Sequence, residues 1–260
     1  MSIKILFDRA LSIGINYVGS ECELNGCVND VINMKNAIST KSHVILTELS
    51  QDQNLIPTRG NIIRAIAEFV KGVGPNDKLL FQYSGHGSNT RDRSGDESDG
   101  RDESICPLDY DASGDIVDDD LNNLLVKKLP VGCKLWCFFD SCHSGSILDL
   151  KYRYTIYPRD DKKKYVTAID KHYPDSSEQV ICISGCRDEQ TSADAYINKK
   201  YAGAMTWGLL TSITTLQKAN KPITYRNLMK NLLVLMSDNK YSQIPQISTG
   251  APLDLDSVFF

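Results

Sequence analysis

The chain has 260 residues, 41% hydrophobic and 24% charged, a balance that suits a globular protein with a substantial core. Its net charge of −4 comes with no clustered basic face, so no nucleic-acid partner is expected. No run approaches the length of a membrane span, and the opening MSIKILFDRA lacks both the apolar length and the cleavage site of a secretory signal; no membrane partner, a cytoplasmic location and reduced cysteines are the expectation.

In chain order, strand-like and helix-like stretches alternate, which predicts an α/β fold with a mainly parallel sheet. Residues 11–17 read as a first strand, and 26–38 as a helix with Val28, Val31, Ile32 and Ile38 on one face. A second strand is expected at 44–49. Thr58 then caps a helix in which Ile62, Ile66, Phe69 and Val73 recur at helical spacing. Breakers at 72–77 launch a continuous apolar run, 78–83 (KLLFQY), of the kind that forms a fully buried parallel strand. Asp118, Asp119 and Asp120 open a short helix through Leu129, and 134–139 (KLWCFF) is a second buried run. Residues 151–177 show no period and read as a long exposed loop. A strand at 179–184, helices at 202–216 and 224–236, and a last strand at 245–248 complete the pattern. Without repeat or linker, a single domain over 1–260 is expected.

The two buried runs end in reactive side chains. The first leads into Ser84, Gly85, His86 and Gly87, and the second into Asp140, Ser141, Cys142, His143, Ser144 and Gly145. Chemistry in parallel sheets gathers beyond the carboxyl ends of the strands, and a thiol beside an imidazole equips a site for nucleophilic acyl transfer. A lone cysteine after a strand is usually structural, and a lone histidine usually a surface residue. Two glycine-flanked turns directly after buried strands weigh instead toward a Cys–His hydrolase. His143 is a rival base, but consecutive side chains diverge, so it reads as a wall of the site.

Of the eight cysteines, none forms a C-x-x-C pair, which argues against zinc-finger and thioredoxin readings; Cys133, Cys137 and Cys182 read as small buried hydrophobes. Residues 88–120 hold twelve acids and three arginines, a local charge of −9. Within them, 109–120 nearly satisfies EF-hand spacing. Cys106 and Pro107 suggest a strand or hairpin where the entering helix belongs, however, and Gly114 reads as a turn glycine.

The motifs at 83–87 and 140–145, 56 residues apart, resemble the catalytic motifs of the metacaspases, caspase-like cysteine peptidases. Asn25-Gly26-Cys27 with Asp30, Cys106-Pro107-Leu108-Asp109, Ile116-Val117-Asp118-Asp119, and the stretches 145–149 and 184–194 follow in that family's order. The resemblance implies a caspase-like three-layer α/β/α sandwich, Cys142 as nucleophile, His86 as its acid/base partner, and the N–H groups of Gly87 and Cys142 as oxyanion donors. It implies a pocket for the residue before the cut lined by Asp30, Ser84 and Asp140, with Cys27 nearby; paired carboxylates there call for Arg or Lys. It also implies Ca²⁺ as a cofactor held by Asp102, Asp118, Asp119 and Asp149, with Asp99 or Glu103 as substitutes for Asp102.

Protein or peptide substrates with Arg or Lys before the cut are the expected partners. Many relatives carry an N-terminal Pro/Gln-rich region; no such prodomain is expected here. The segment 151–177 offers Arg153, Arg159, Lys162, Lys163, Lys164 and Lys171 to self-cleavage, and the active form is expected to be an uncut monomer. Two other classes stand beside the peptidase: a catalytically silent binding protein on the same fold, and a calcium sensor built on 109–120.

Overall fold

The computed structural model describes residues 5–91, 100–159, 165–176, 179–186, 194–197 and 200–259. Its centre is an eight-stranded sheet. Strands β1 (Ile5–Gly14), β2 (Ile38–Thr47), β3 (Lys78–Ser84), β7 (Lys134–Asp140) and β10 (Gln179–Ser184) pair in parallel, in the order β2-β1-β3-β7-β10. Strands β13 (Gln246–Thr249), β8 (Tyr152–Ile156) and β9 (Tyr165–Ile169) extend it antiparallel beyond β10.

The two-residue alternation of a pleated strand explains why the central runs are continuously apolar. Leu79, Phe81 and Tyr83 of β3, Leu135, Cys137 and Phe139 of β7, and Val180 and Cys182 of β10 enter one core, with Ile62, Ile66 and Phe69 of helix α2 (Arg59–Val70). Leu80, Trp136, Phe138, Ile181 and Ile183 enter the other. There they meet Met34 of helix α1 (Cys27–Ala37) and helices α5 (Ala204–Lys218) and α6 (Tyr225–Asp238). Helices on both faces of a mainly parallel sheet make the expected three-layer α/β/α sandwich.

The remaining elements crowd one end of the sheet. A small antiparallel sheet joins β4 (Gly87–Arg91), β5 (Arg101–Ile105) and β6 (Ile116–Val117), and β11 (Asp194–Ile197) pairs with β12 (Lys200–Gly203). Two helical turns, α3 (Tyr110–Ser113) and α4 (Asp118–Leu121), lie beside β6 in the chain, and α4 runs on into a π-helical turn over Asn122–Val126.

Several local expectations are corrected. The long loop expected over 151–177 gives way, within the described residues 151–159 and 165–176, to the hairpin β8–β9, in which Tyr154 and Ile156 alternate into the α5/α6 core while Arg153 and Thr155 are only partly buried. Ile32 is 47% exposed, and Asp30 and Met34 take the buried face of α1 in its place. Val73 lies beyond the end of α2, the helix expected from Asp118 to Leu129 closes in the π turn, and β1 and β2 begin six residues earlier than read. Those early strand residues alternate with exposed side chains such as Leu6, which hides them from a purely apolar search.

Candidate active site

Strands β3 and β7 are direct neighbours, and their last residues, Ser84 and Asp140, face each other across the ladder. The two reactive turns therefore leave the sheet side by side. Gly87 holds them together: a Cβ there would sit 2.0 Å from the Cys142 carbonyl oxygen and 3.3 Å from its nitrogen, so only glycine lets the backbones touch.

The His86 ring is fixed by two contacts. It stacks on Tyr17, with ring centroids 4.7 Å apart. Its Nε2 lies 2.6 Å from the Cys22 carbonyl oxygen, which can only accept, so Nε2 carries the proton and Nδ1 is the basic nitrogen of the neutral ring. The backbone is held as well: His86 N–H donates to the Tyr17 hydroxyl, and the Tyr83 hydroxyl donates to the His86 carbonyl at 2.7 Å. Burial pushes both phenols well above their ordinary pKa, so they remain protonated donors. Tyr17 in turn depends on Glu48, whose carboxylate accepts the N–H groups of Asn16 and Tyr17.

Cys142 is half-buried, and its loop is braced from behind. The Cys186 thiol donates to the Ser141 carbonyl at 3.1 Å, and burial raises that thiol to about 12, which keeps the donor protonated. His143, at φ +48, turns away toward β4, where its Nδ1 meets the Asn89 amide at 3.2 Å.

Of the four residues assigned to the pocket, Asp30 and Asp140 meet at the start of α5. Asp30 is fully buried and accepts the Gly203 N–H through both oxygens at 3.0 Å, while Asp140 accepts the Thr206 N–H at 2.8 Å. A Cβ on Gly203 would lie 2.2 Å from an Asp140 oxygen and 2.6 Å from an Asp30 oxygen, so the glycine sits between the two carboxylates. The buried Ser84 hydroxyl, across the ladder from Asp140, has no hydrogen-bond partner among the described residues, and Cys27 is buried as the first residue of α1. The charges are thus already met in part by amides at a helix N-terminus.

Of the aspartates assigned to calcium, Asp119 and Asp149 line one cavity of about 350 Å³. Asp102 and Asp118 are buried to either side of the β5–α4 contact, where Asp118 accepts the N–H groups of Glu103 and Asp119. Glu103 is engaged by the Ser146 hydroxyl, and Asp99 lies outside the described residues. Among the described residues no three His, Cys, Asp or Glu side chains converge to hold a metal. The donor set, all hard oxygens, still suits a calcium-sized cation. The EF-hand alternative does not survive: strand β5 stands where a helix should enter, Gly114 is a turn glycine at φ +77, and the two Asp109 oxygens accept from the Arg59 N–H and the Ser113 hydroxyl.

Sequence reasoning missed Tyr17, Tyr83, Glu48, the Cys22 carbonyl, Cys186 and Gly203. The two tyrosines end strand-like runs and left that much signal; the others act through contacts between segments distant in the chain.

The model of the metacaspase, peptidase C14 domain matches residues 8–151. Metacaspase-1 of Meyerozyma guilliermondii is 40% identical across 96% of this chain and 71% of its own length, and Metacaspase-1 of Schizosaccharomyces pombe is 36% identical across 95% and 68%. Among solved structures, a Geobacter sulfurreducens protein aligns over 98% of both chains with a TM-score of 0.65 and 26% identity. Caspase-1 from Spodoptera frugiperda aligns over 95% of this chain and 89% of its own with a TM-score of 0.54; at 11% identity it speaks to the fold alone. The reactive turns fall inside the matched domain, on a sheet of caspase type, and the chain belongs to the metacaspase family of cysteine peptidases.

Proposed function

We propose that the protein is a calcium-dependent endopeptidase that cleaves after Arg or Lys with a Cys142–His86 dyad. The observation that carries this reading is the backbone contact of Gly87 with Cys142, which sets the two turns against each other while the Cys22 carbonyl orients the His86 ring. Proton loss from Cys142 to Nδ1 of His86 gives the thiolate, which attacks the scissile carbonyl carbon. The developing oxyanion would be met by the N–H groups of Gly87 and Cys142, and imidazolium protonates the departing amine. Water, activated by the neutral ring, then hydrolyses the thioester and regenerates the thiol.

Specificity for a basic residue is supported by Asp30 and Asp140 on either side of Gly203 and by the unsatisfied Ser84 hydroxyl, an acceptor for an additional N–H. A guanidinium offers the donors such a pocket can use; an acidic side chain would bring a third carboxylate to it. Calcium would be held by Asp119 and Asp149, with Asp102 and Asp118 supporting the β5–α4 junction, and would supply positive charge that orders the loop after Cys142. Protein substrates follow from the family. The silent-protein and sensor readings have no structural observation in their favour.

Turnover of matched fluorogenic peptides decides the matter. We expect an Arg peptide to be cleaved at least about a thousandfold faster than an Asp peptide, only with Ca²⁺, and not at all by Cys142→Ala. Comparable Arg and Asp rates, or substantial turnover by Cys142→Ala, would overturn the assignment.

A further inference from the structure

We propose that the side-chain oxygen of Asn122 is an additional ligand for the cation served by Asp119 and Asp149, an inference that rests on the calcium reading above. Asn122 follows Asp119 by three residues, a spacing that brings helical side chains to one face, and it opens the π-helical turn. Such widened turns recur at functional sites because they re-aim the side chains they carry.

Asn122 is only 7% exposed, yet just half of its amide is satisfied. Its Nδ2 donates to the Leu148 carbonyl at 2.7 Å. That contact fixes the flip, since a carbonyl accepts only from the nitrogen. Oδ1 is therefore turned away from that carbonyl, and among the described residues no donor meets it. A buried acceptor left in that state is costly, and native structures normally give it a partner.

The partner can be inferred from the surroundings. Asn122 lines the same cavity as Asp119 and Asp149, and its Leu148 anchor is the residue directly before Asp149. One amide thus ties the α4 turn to the loop after Cys142, and its neutral, hard oxygen belongs to a side chain that lines the cavity together with both carboxylates. Calcium collects six to eight oxygens and accepts amide carbonyls among them.

Binding of Ca²⁺ and of Tb³⁺ to the full chain carrying Cys142→Ala tests this without reference to catalysis. Calorimetry reads the first, and luminescence reads the second, with Tyr173 on the cavity wall as antenna. We expect Asn122→Ala to weaken both by about tenfold. Asn122→Asp should bind at least as tightly as the parent, because it keeps an oxygen and adds a charge while losing the Nδ2 anchor. Equal weakening in both variants would make Asn122 a strut for Leu148 only, and unchanged affinity in Asn122→Ala would also overturn the proposal. Should the alanine variant fail to fold, the aspartate variant decides alone: binding weaker than the parent's overturns it. A parent that binds neither ion, or whose binding survives the double change Asp119→Ala with Asp149→Ala, sinks the calcium reading itself, a result distinct from any difference among Asn122 variants.

Discussion

At the scale of single residues, Gly203 is the sharpest test of the substrate pocket. Its φ of −63° suits any amino acid, so a substitution there acts by volume alone. The Cβ of Gly203→Ala would enter the space between the Asp30 and Asp140 carboxylates. We expect kcat/KM on an Arg peptide to fall about a hundredfold with the circular dichroism spectrum unchanged, since ångström-scale misplacement costs that much. Retained turnover would place the basic residue of the substrate elsewhere. The cysteines offer a second test. Burial raises Cys182 and Cys186 to about 12 and lifts Cys106 and Cys137 as well, so none of them supplies thiolate at pH 8. Alkylation followed by mass spectrometry should label exposed Cys22 and half-buried Cys142 in the native protein. Labelling of Cys186 ahead of Cys22 would contradict the brace drawn behind Cys142.

At the scale of elements, β1 and β2 are joined by more than their ladder. The buried Ser12 hydroxyl of β1 lies 2.8 Å from Nε2 of His43 on β2. Burial, with Lys35 adding to it, lowers His43 from 6.5 to about 4. The folded protein therefore binds fewer protons than the unfolded chain between those values. The stabilisation is complete above pH 6.5 and is lost as the pH falls toward 4. Thermal melts should show His43→Gln with a flatter stability profile across that window; an unchanged slope would assign the acid sensitivity to other groups. The same edge shows what the sequence conceals. Strand β2 was readable only in its apolar half, because an edge strand needs one covered face and its first residues carry Ser, Thr and Lys. The β8–β9 hairpin was illegible for a related reason: its register is imposed by β13, a strand some eighty residues further along the chain.

At the scale of the whole molecule, that hairpin determines how copies can meet. Strand β13 would be an open edge of the sheet beyond β10, but β8 pairs with it and β9 with β8. An open edge is the usual template for pairing with a second chain, and the hairpin moves that edge from β13 to β9, where Tyr165, Val166 and Ile169 are exposed. The basic residues of 151–177 are unequal targets for self-cleavage. Arg153 is held between Ser248 and Ala168 in the ladder, and Arg159 is paired with Asp238. Lys171 lies just beyond β9, and Lys162, Lys163 and Lys164 lie outside the described residues. Replacing all six with Gln should leave an uncut protein that elutes as a monomer and still cleaves an Arg peptide. An inactive variant, or activity confined to a dimer peak, would refute that expectation.

What the sequence determined by itself was the chemistry and its address. A short continuous apolar run bounded by breakers reads as a strand covered on both faces, and a Gly-His-Gly turn after one such strand and a Ser-Cys-His turn after another then reach the same end of a parallel sheet. The acidic stretch announced carboxylates without saying which were buried together. Only the tertiary structure decided that the Cys22 carbonyl faces His86, that the amides at the start of α5 meet Asp30 and Asp140, and that Asn122, with its buried unsatisfied oxygen, lines one cavity with Asp119 and Asp149. Each of those depends on a contact between distant segments. Side-chain type and period fix what a residue can do, whereas hydrogen bonding between separate parts of the chain fixes what it meets.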